Sequence, residues 1–202
     1  MLLAPISASA IDTQVYDARL CSAQLIVLQG DLRQLLNQST SAKHREGYRQ
    51  RMTGALGTLN WLCRQYASLH KTSSSKYQRD IKQLQTSFNK EEWNKTRLVL
   101  DNLIRQMPLS LKGLKAEEAK TESINTGKEL YKSYCQACHK QPDLNQARPA
   151  YSLFKMAKAL SNKEFIARMV VGVHGTPEIA LQNPLTDDDI SGMYNYLLTE
   201  NE

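Results

Sequence analysis

The chain has 202 residues, 41% hydrophobic and 23% charged, with a formal net charge of +6. That balance excludes a disordered chain and suffices for one large domain or two small ones, and no run of eighteen or more apolar residues is present to span a membrane. Nine glycines and six prolines are too few for a turn-rich β protein and leave room for long helices.

Residues 1–10, MLLAPISASA, are apolar and uncharged and end in Ser7, Ala8, Ser9 and Ala10. Small residues at the third and first positions before a cut mark a secretory cleavage site, so this segment reads as the remnant of a secretion signal. The expected location is the periplasm, an oxidising compartment that permits disulfides.

Residues 11–118 read as four amphipathic helices. Apolar residues recur at steps of three and four: Ala18, Cys21, Leu25, Leu28, Leu32 and Leu35, then Met52, Leu56, Leu59, Cys63, Tyr66 and His70. A shorter run carries Tyr77, Ile81 and Leu84, and a fourth carries Trp93, Leu100, Leu103, Ile104 and Met107. Each is expected to bury one stripe. Polar joints at residues 38–41 and 72–75 supply cap hydroxyls, Asn89 with Glu92 fits a helix start, and Pro108 ends the fourth helix. Short joints predict an antiparallel four-helix bundle, its first two helices about 25 and 30 residues long. Cys21 and Cys63 lie at equal distances from the first joint, both on apolar stripes. In a helical hairpin they come side by side, so the reading is a disulfide if their Cα atoms approach within about 7 Å.

A linker is expected over roughly residues 109–125. Residues 11–119 carry 17 basic and 10 acidic side chains, and residues 120–202 carry 9 and 10. The surplus positive charge therefore belongs to the helical part, which predicts docking to an acidic partner or anionic headgroups, against the plainer reading of a solvated face.

Cys135-Gln136-Ala137-Cys138-His139 is a CxxCH sequence. Two thiols at that spacing add to the two vinyl groups of haem, and the next residue offers an imidazole to the iron. Zinc would need two more ligands at matching spacing, and a thioredoxin-like redox pair would need a βαβ context. One covalent haem c on Cys135 and Cys138, with His139 as the proximal iron ligand, is the resulting expectation.

The surroundings resemble the class I c-type cytochrome domain. Gly127-Lys128-Glu129-Leu130-Tyr131 leads into CxxCH as the first helix of that family does, and LTDDDISGMYNYLLTE at residues 185–200 looks like its last helix. Thr186 can cap that helix, and Ile190, Met193, Tyr194 and Leu197 form its apolar face. Residues 161–171 read as a third helix carrying Phe165, Ile166, Met169 and Val170. The resemblance implies an all-α chain in which a cytochrome c-like haem domain, 119–202, follows the bundle.

In that family the sixth iron ligand is a methionine between the third and last helices. Here residues 172–180 are GVHGTPEIA, with Thr176 or Glu178 at the equivalent place and no methionine. Three readings stay open: His174 as sixth ligand, Met156 or Met169 from an earlier segment, or an open site. The leading functional expectation is a periplasmic single-electron carrier with redox protein partners, acidic ones included, and no nucleic acid. The alternative is a haem-based gas sensor with an open or weakly filled sixth position. An enzyme would need an acid–base group over the haem, for which Glu178 is the lone candidate. Oligomeric state is left open.

Overall fold

Apolar spacing at three and four residues becomes helix throughout: in the computed structural model, which describes residues 10–172 and 185–200, every regular element among the described residues is helical. The order is α1 (Ala10–Leu36), α2 (Ala42–Leu69), α3 (Ser74–Asn89), α4 (Trp93–Gln106), a 3₁₀ turn (Ala116–Glu118), α5 (Thr121–Leu130), a π-type turn (Tyr131–Cys135), α6 (Gln136–His139), α7 (Leu153–Ala159), α8 (Asn162–Val171) and α9 (Asp187–Thr199).

The caps explain most boundaries. Ser41 accepts from His44 N at 3.2 Å to start α2, and Ser161 accepts from Glu164 N at 3.2 Å to start α8. Thr186 and Asp189 form a full capping box on α9. Pro108 stands two residues past the end of α4. The expected start at Asn89 is corrected: Asn89 is the last residue of α3, and Glu92 caps α4 without a side-chain bond. The reason is a tight α3 C-terminus, in which Glu91 takes φ 56° and Glu92 N reaches back to Ser87 O at 2.9 Å. Lys71, with φ 50°, ends α2 in the same way, with Thr72 N on Ala67 O at 2.9 Å. Neither stop carries the glycine that usually announces it.

Helix α1 packs on α2 and α4, α2 on α3, and α3 on α4. The apolar stripes meet in one cluster of Cys21, Leu25 and Leu28 with Met52, Leu59, Cys63, Ile81, Leu84, Leu100 and Leu103. The expectation of one buried stripe per helix fails for α1, which is buried all round from Cys21 to Leu28. Its second row, Ala23, Ile26 and Val27, joins another cluster with Phe165 and Ile166 of α8 and Ile190, Met193 and Leu197 of α9. Helix α1 is thus common to both cores.

Charges fasten the same junction. Asp31 of α1 is 1% exposed, and burial of a carboxylate demands partners. Arg51 Nε donates to it at 2.6 Å and Arg168 at 3.0 Å. Arg168 also donates to Glu164 at 2.8 Å, and Arg33 donates to Glu164 at 2.6 Å. Arg19 grips Asp187 at the start of α9 with two bonds of 2.6 and 2.8 Å.

The segment read as a linker is anchored. Leu109, Leu114 and Ala116 are buried in the second cluster, and Asn195 of α9 donates to Ala116 O at 2.9 Å. Its buried apolar residues hold it, although the KAEEAK charges beside them read as solvated.

Candidate cofactor site

The CxxCH motif sits where a helical path bends. From Thr121 the chain runs through α5, the π-type turn and α6 to His139, so Cys135 and Cys138 stand one turn apart on one face. The frame behind them is the crossing of α5 and α9, made of backbone. A Cβ on Gly127 would lie 2.3 Å from Met193 N, and one on Gly192 would lie 2.0 Å from Ser123 O. The rings of Tyr131, Phe154 and Tyr196 close the same corner, with centroids 5.2 to 5.9 Å apart.

Both motif cysteines are free thiols, Cys135 half-buried and Cys138 exposed. Burial pushes the Cys135 thiol up to about 11, and Cys138 adds to the shift. Cys135 therefore carries its S–H at neutral pH. His139 Nδ1 lies 2.6 Å from the Tyr151 carbonyl oxygen. A carbonyl only accepts, so Nδ1 donates, and in the neutral ring Nε2 then carries the lone pair, which is the form that ligates iron.

These residues fit a haem. Two S–H groups share one face beside an imidazole whose Nε2 is free. Tyr134 and Leu144, on either side of the motif in the chain, are 75% and 58% exposed, apolar surface that a large flat group can cover. Among the described residues no three His, Cys, Asp or Glu side chains converge as a metal cluster.

His174, Thr176 and Glu178 lie outside the described residues. Met156 lies within α7, which Ser152 starts by accepting from Lys155 N at 3.4 Å. Met169 lies on α8, and both methionines are partly buried against the second cluster. Away from the motif, Cys21 and Cys63 stand with Cα atoms 5.0 Å apart and sulfurs at bonding distance. Sequence reasoning missed the Tyr151 carbonyl, a backbone atom with no residue signature. It also missed His44, whose Nε2 lies 3.1 Å from Leu144 O and whose Nδ1 lies 3.4 Å from the Tyr151 hydroxyl.

Residues 122–197 match the family model described as cytochrome c oxidase, cbb3-type, subunit III. The match spans 76 of the 202 residues and leaves the first four helices outside it. No curated protein and no solved structure matches the chain significantly. The matched segment is a cytochrome c domain, which implies haem binding and suggests haem-based electron transfer. No helix among the described residues is long and apolar enough to cross a membrane.

Proposed function

We propose that this chain is an exported, monohaem c-type cytochrome that passes single electrons. In this reading residues 119–202 carry the haem, and residues 11–118 form an antiparallel four-helix bundle that docks a partner. The observation that carries the reading is the 2.6 Å contact of His139 Nδ1 with the Tyr151 carbonyl oxygen, which leaves Nε2 as the ring nitrogen available to a metal beside two free thiols. Cys135 and Cys138 would hold the haem, each adding its S–H across one vinyl double bond: sulfur would bond the inner carbon and hydrogen the outer one as the π bond is lost, with no oxidant or reductant consumed. Bound there, haem supplies the one-electron iron couple.

Export is supported by the small residues ending the 1–10 segment and by the bonding distance between Cys21 and Cys63, a link suited to an oxidising compartment. Docking is supported by the 17 basic against 10 acidic side chains of residues 11–119, a field that attracts an acidic redox protein. The sixth ligand is drawn from His174, Met156 or Met169. The alternative, a gas-binding sensor with an open sixth position, is favoured by the absence of methionine from residues 172–180.

Visible spectra of the oxidised and reduced protein, with and without carbon monoxide, separate the two. A low-spin spectrum that ignores carbon monoxide is the expected result. A high-spin spectrum that shifts strongly with carbon monoxide overturns the carrier and selects the sensor. The His174→Ala variant then reports the ligand, because an unchanged spectrum removes His174.

A further inference from the structure

The stretch from Lys140 to Tyr151 carries the acceptor for His139 yet has little bonding of its own. Among the described residues one backbone–backbone bond joins two of its residues, Gln146 N to Asp143 O at 3.1 Å, helped by Asp143 accepting from Asn145 N at 2.9 Å, and Lys140 N bonds back to Gln136 O at 3.0 Å. What it rests on is the start of α2. Gly47 has no side chain, and a Cβ there would lie 2.1 Å from Ala147 O and 2.9 Å from Arg148 Cγ, so the loop backbone lies directly on the helix. One turn earlier His44 bridges the interior of the loop at Leu144 and its end at Tyr151. Leu144 O can only accept, so His44 Nε2 donates to it at 3.1 Å. In the neutral ring Nδ1 then accepts from the Tyr151 hydroxyl at 3.4 Å. The two rings meet edge to face with centroids 6.3 Å apart. Tyr48 is on the same side: burial raises its hydroxyl above the usual tyrosine value, and Tyr151 adds to that shift.

We propose that the first two turns of α2 clamp the loop on the proximal side of the haem, with His44 as a positioning residue that acts on His139 through Tyr151. The inference rests on the haem reading above. One residue, Tyr151, accepts from His139 on its carbonyl and meets His44 on its hydroxyl, so the N-terminal helices and the iron ligand share it. A firm acceptor on Nδ1 fixes the ring and raises its basicity, which favours oxidised iron. Releasing the loop weakens that acceptor and favours the reduced form. The N-terminal helical part thereby sets the redox poise of the haem, in addition to any docking role.

The test uses the full chain as isolated, comparing wild type, His44→Ala, Tyr151→Phe, the double variant and His44→Gln. Tyr151→Phe removes the hydroxyl but keeps the carbonyl. Potentiometric titration should show His44→Ala moving the reduced-to-oxidised equilibrium twofold to tenfold toward reduced, tenfold being about 59 mV for one electron. Tyr151→Phe should move it in the same direction, and the double variant no further than the larger single change, as expected of two residues in one path. His44→Gln, which keeps a donor for Leu144 O, should recover at least half. Amide hydrogen exchange over residues 140–151 should quicken in His44→Ala. Unchanged exchange there overturns the clamp, with or without haem on the chain. Faster exchange with haem bound and an unmoved potential overturns the tuning of His139. If the chain binds no haem, the functional reading falls, while faster exchange still upholds the clamp.

Discussion

Helices α1 and α2 meet through side chains. Leu25 and Leu28 interlock with Met52 and Leu59, and the Cα atoms of Cys21 and Cys63 are 5.0 Å apart. Helices α5 and α9 meet through backbone, where Gly127 and Gly192 leave no room for a methyl group. A side-chain contact absorbs change by repacking, whereas a backbone contact cannot. The first region is therefore expected to tolerate substitution and to depend on its covalent link. The second is expected to fail at single atoms, and it is the one that holds the haem motif.

The largest predicted effect falls on the second region alone. His139→Ala should abolish the low-spin visible spectrum while far-ultraviolet circular dichroism stays helical, because the change removes the proposed iron ligand and no core contact. Next comes the covalent link of the first region. Cys21→Ser with Cys63→Ser opens a connection between residues 42 apart in the chain, which should lower stability by about 4 kcal/mol in urea unfolding. The haem spectrum of the folded variant should not move. Gly192→Ala should cost about 3 kcal/mol by driving α5 and α9 apart, read as a fall in the thermal midpoint.

The junction between the regions gives a smaller, pH-dependent effect. Burial pushes the Glu164 carboxyl up, but hydrogen bonds from Arg33 and Arg168 outweigh it and hold the group below its usual value. A lowered folded value means that the carboxylate stabilises fully above the ordinary 4.5 and loses its contribution as pH falls through the folded value. Glu164→Gln should cost about 2 kcal/mol at neutral pH, and the gap to wild type should close on acidification below that range. The smallest effect has the opposite sign. Gly54 lies in α2, where an added Cβ would meet nothing within 4 Å, so Gly54→Ala should stabilise by about 0.5 to 1 kcal/mol. Opposite signs for alanine at Gly54 and Gly192 are the sharpest expression of the difference between the regions.

Legibility in the sequence followed the distance between partners. The CxxCH motif, the Thr186 cap and most of each apolar stripe are local patterns that map onto an observed turn, cap or buried face, whereas His70, read onto the second stripe, is exposed at the end of α2. The end of α3 at Glu91 was hidden because no glycine marks it, whereas the polar joint at residues 72–75 already marked the end of α2. Asp31 looks like a solvent-facing charge, since its partner Arg168 lies 137 residues away. The second buried row of α1 was hidden for the same reason: Ala23, Ile26 and Val27 lie beside the stripe of Leu25 and Leu28, and α8 and α9, which cover them, come from the far end of the chain. At the site, the two thiols and His139 were readable, but the acceptor that fixes its tautomer is a carbonyl, and His44 meets Tyr151 across 107 residues.

The central claim is a haem bonded to Cys135 and Cys138, and it is tested most directly by denaturing the isolated protein and asking whether the haem stays with the polypeptide. The account predicts that haem absorbance remains with the chain on a denaturing gel and disappears from it when both cysteines are replaced by alanine. Haem that washes away from the wild-type chain, or a chain that carries none, would contradict it.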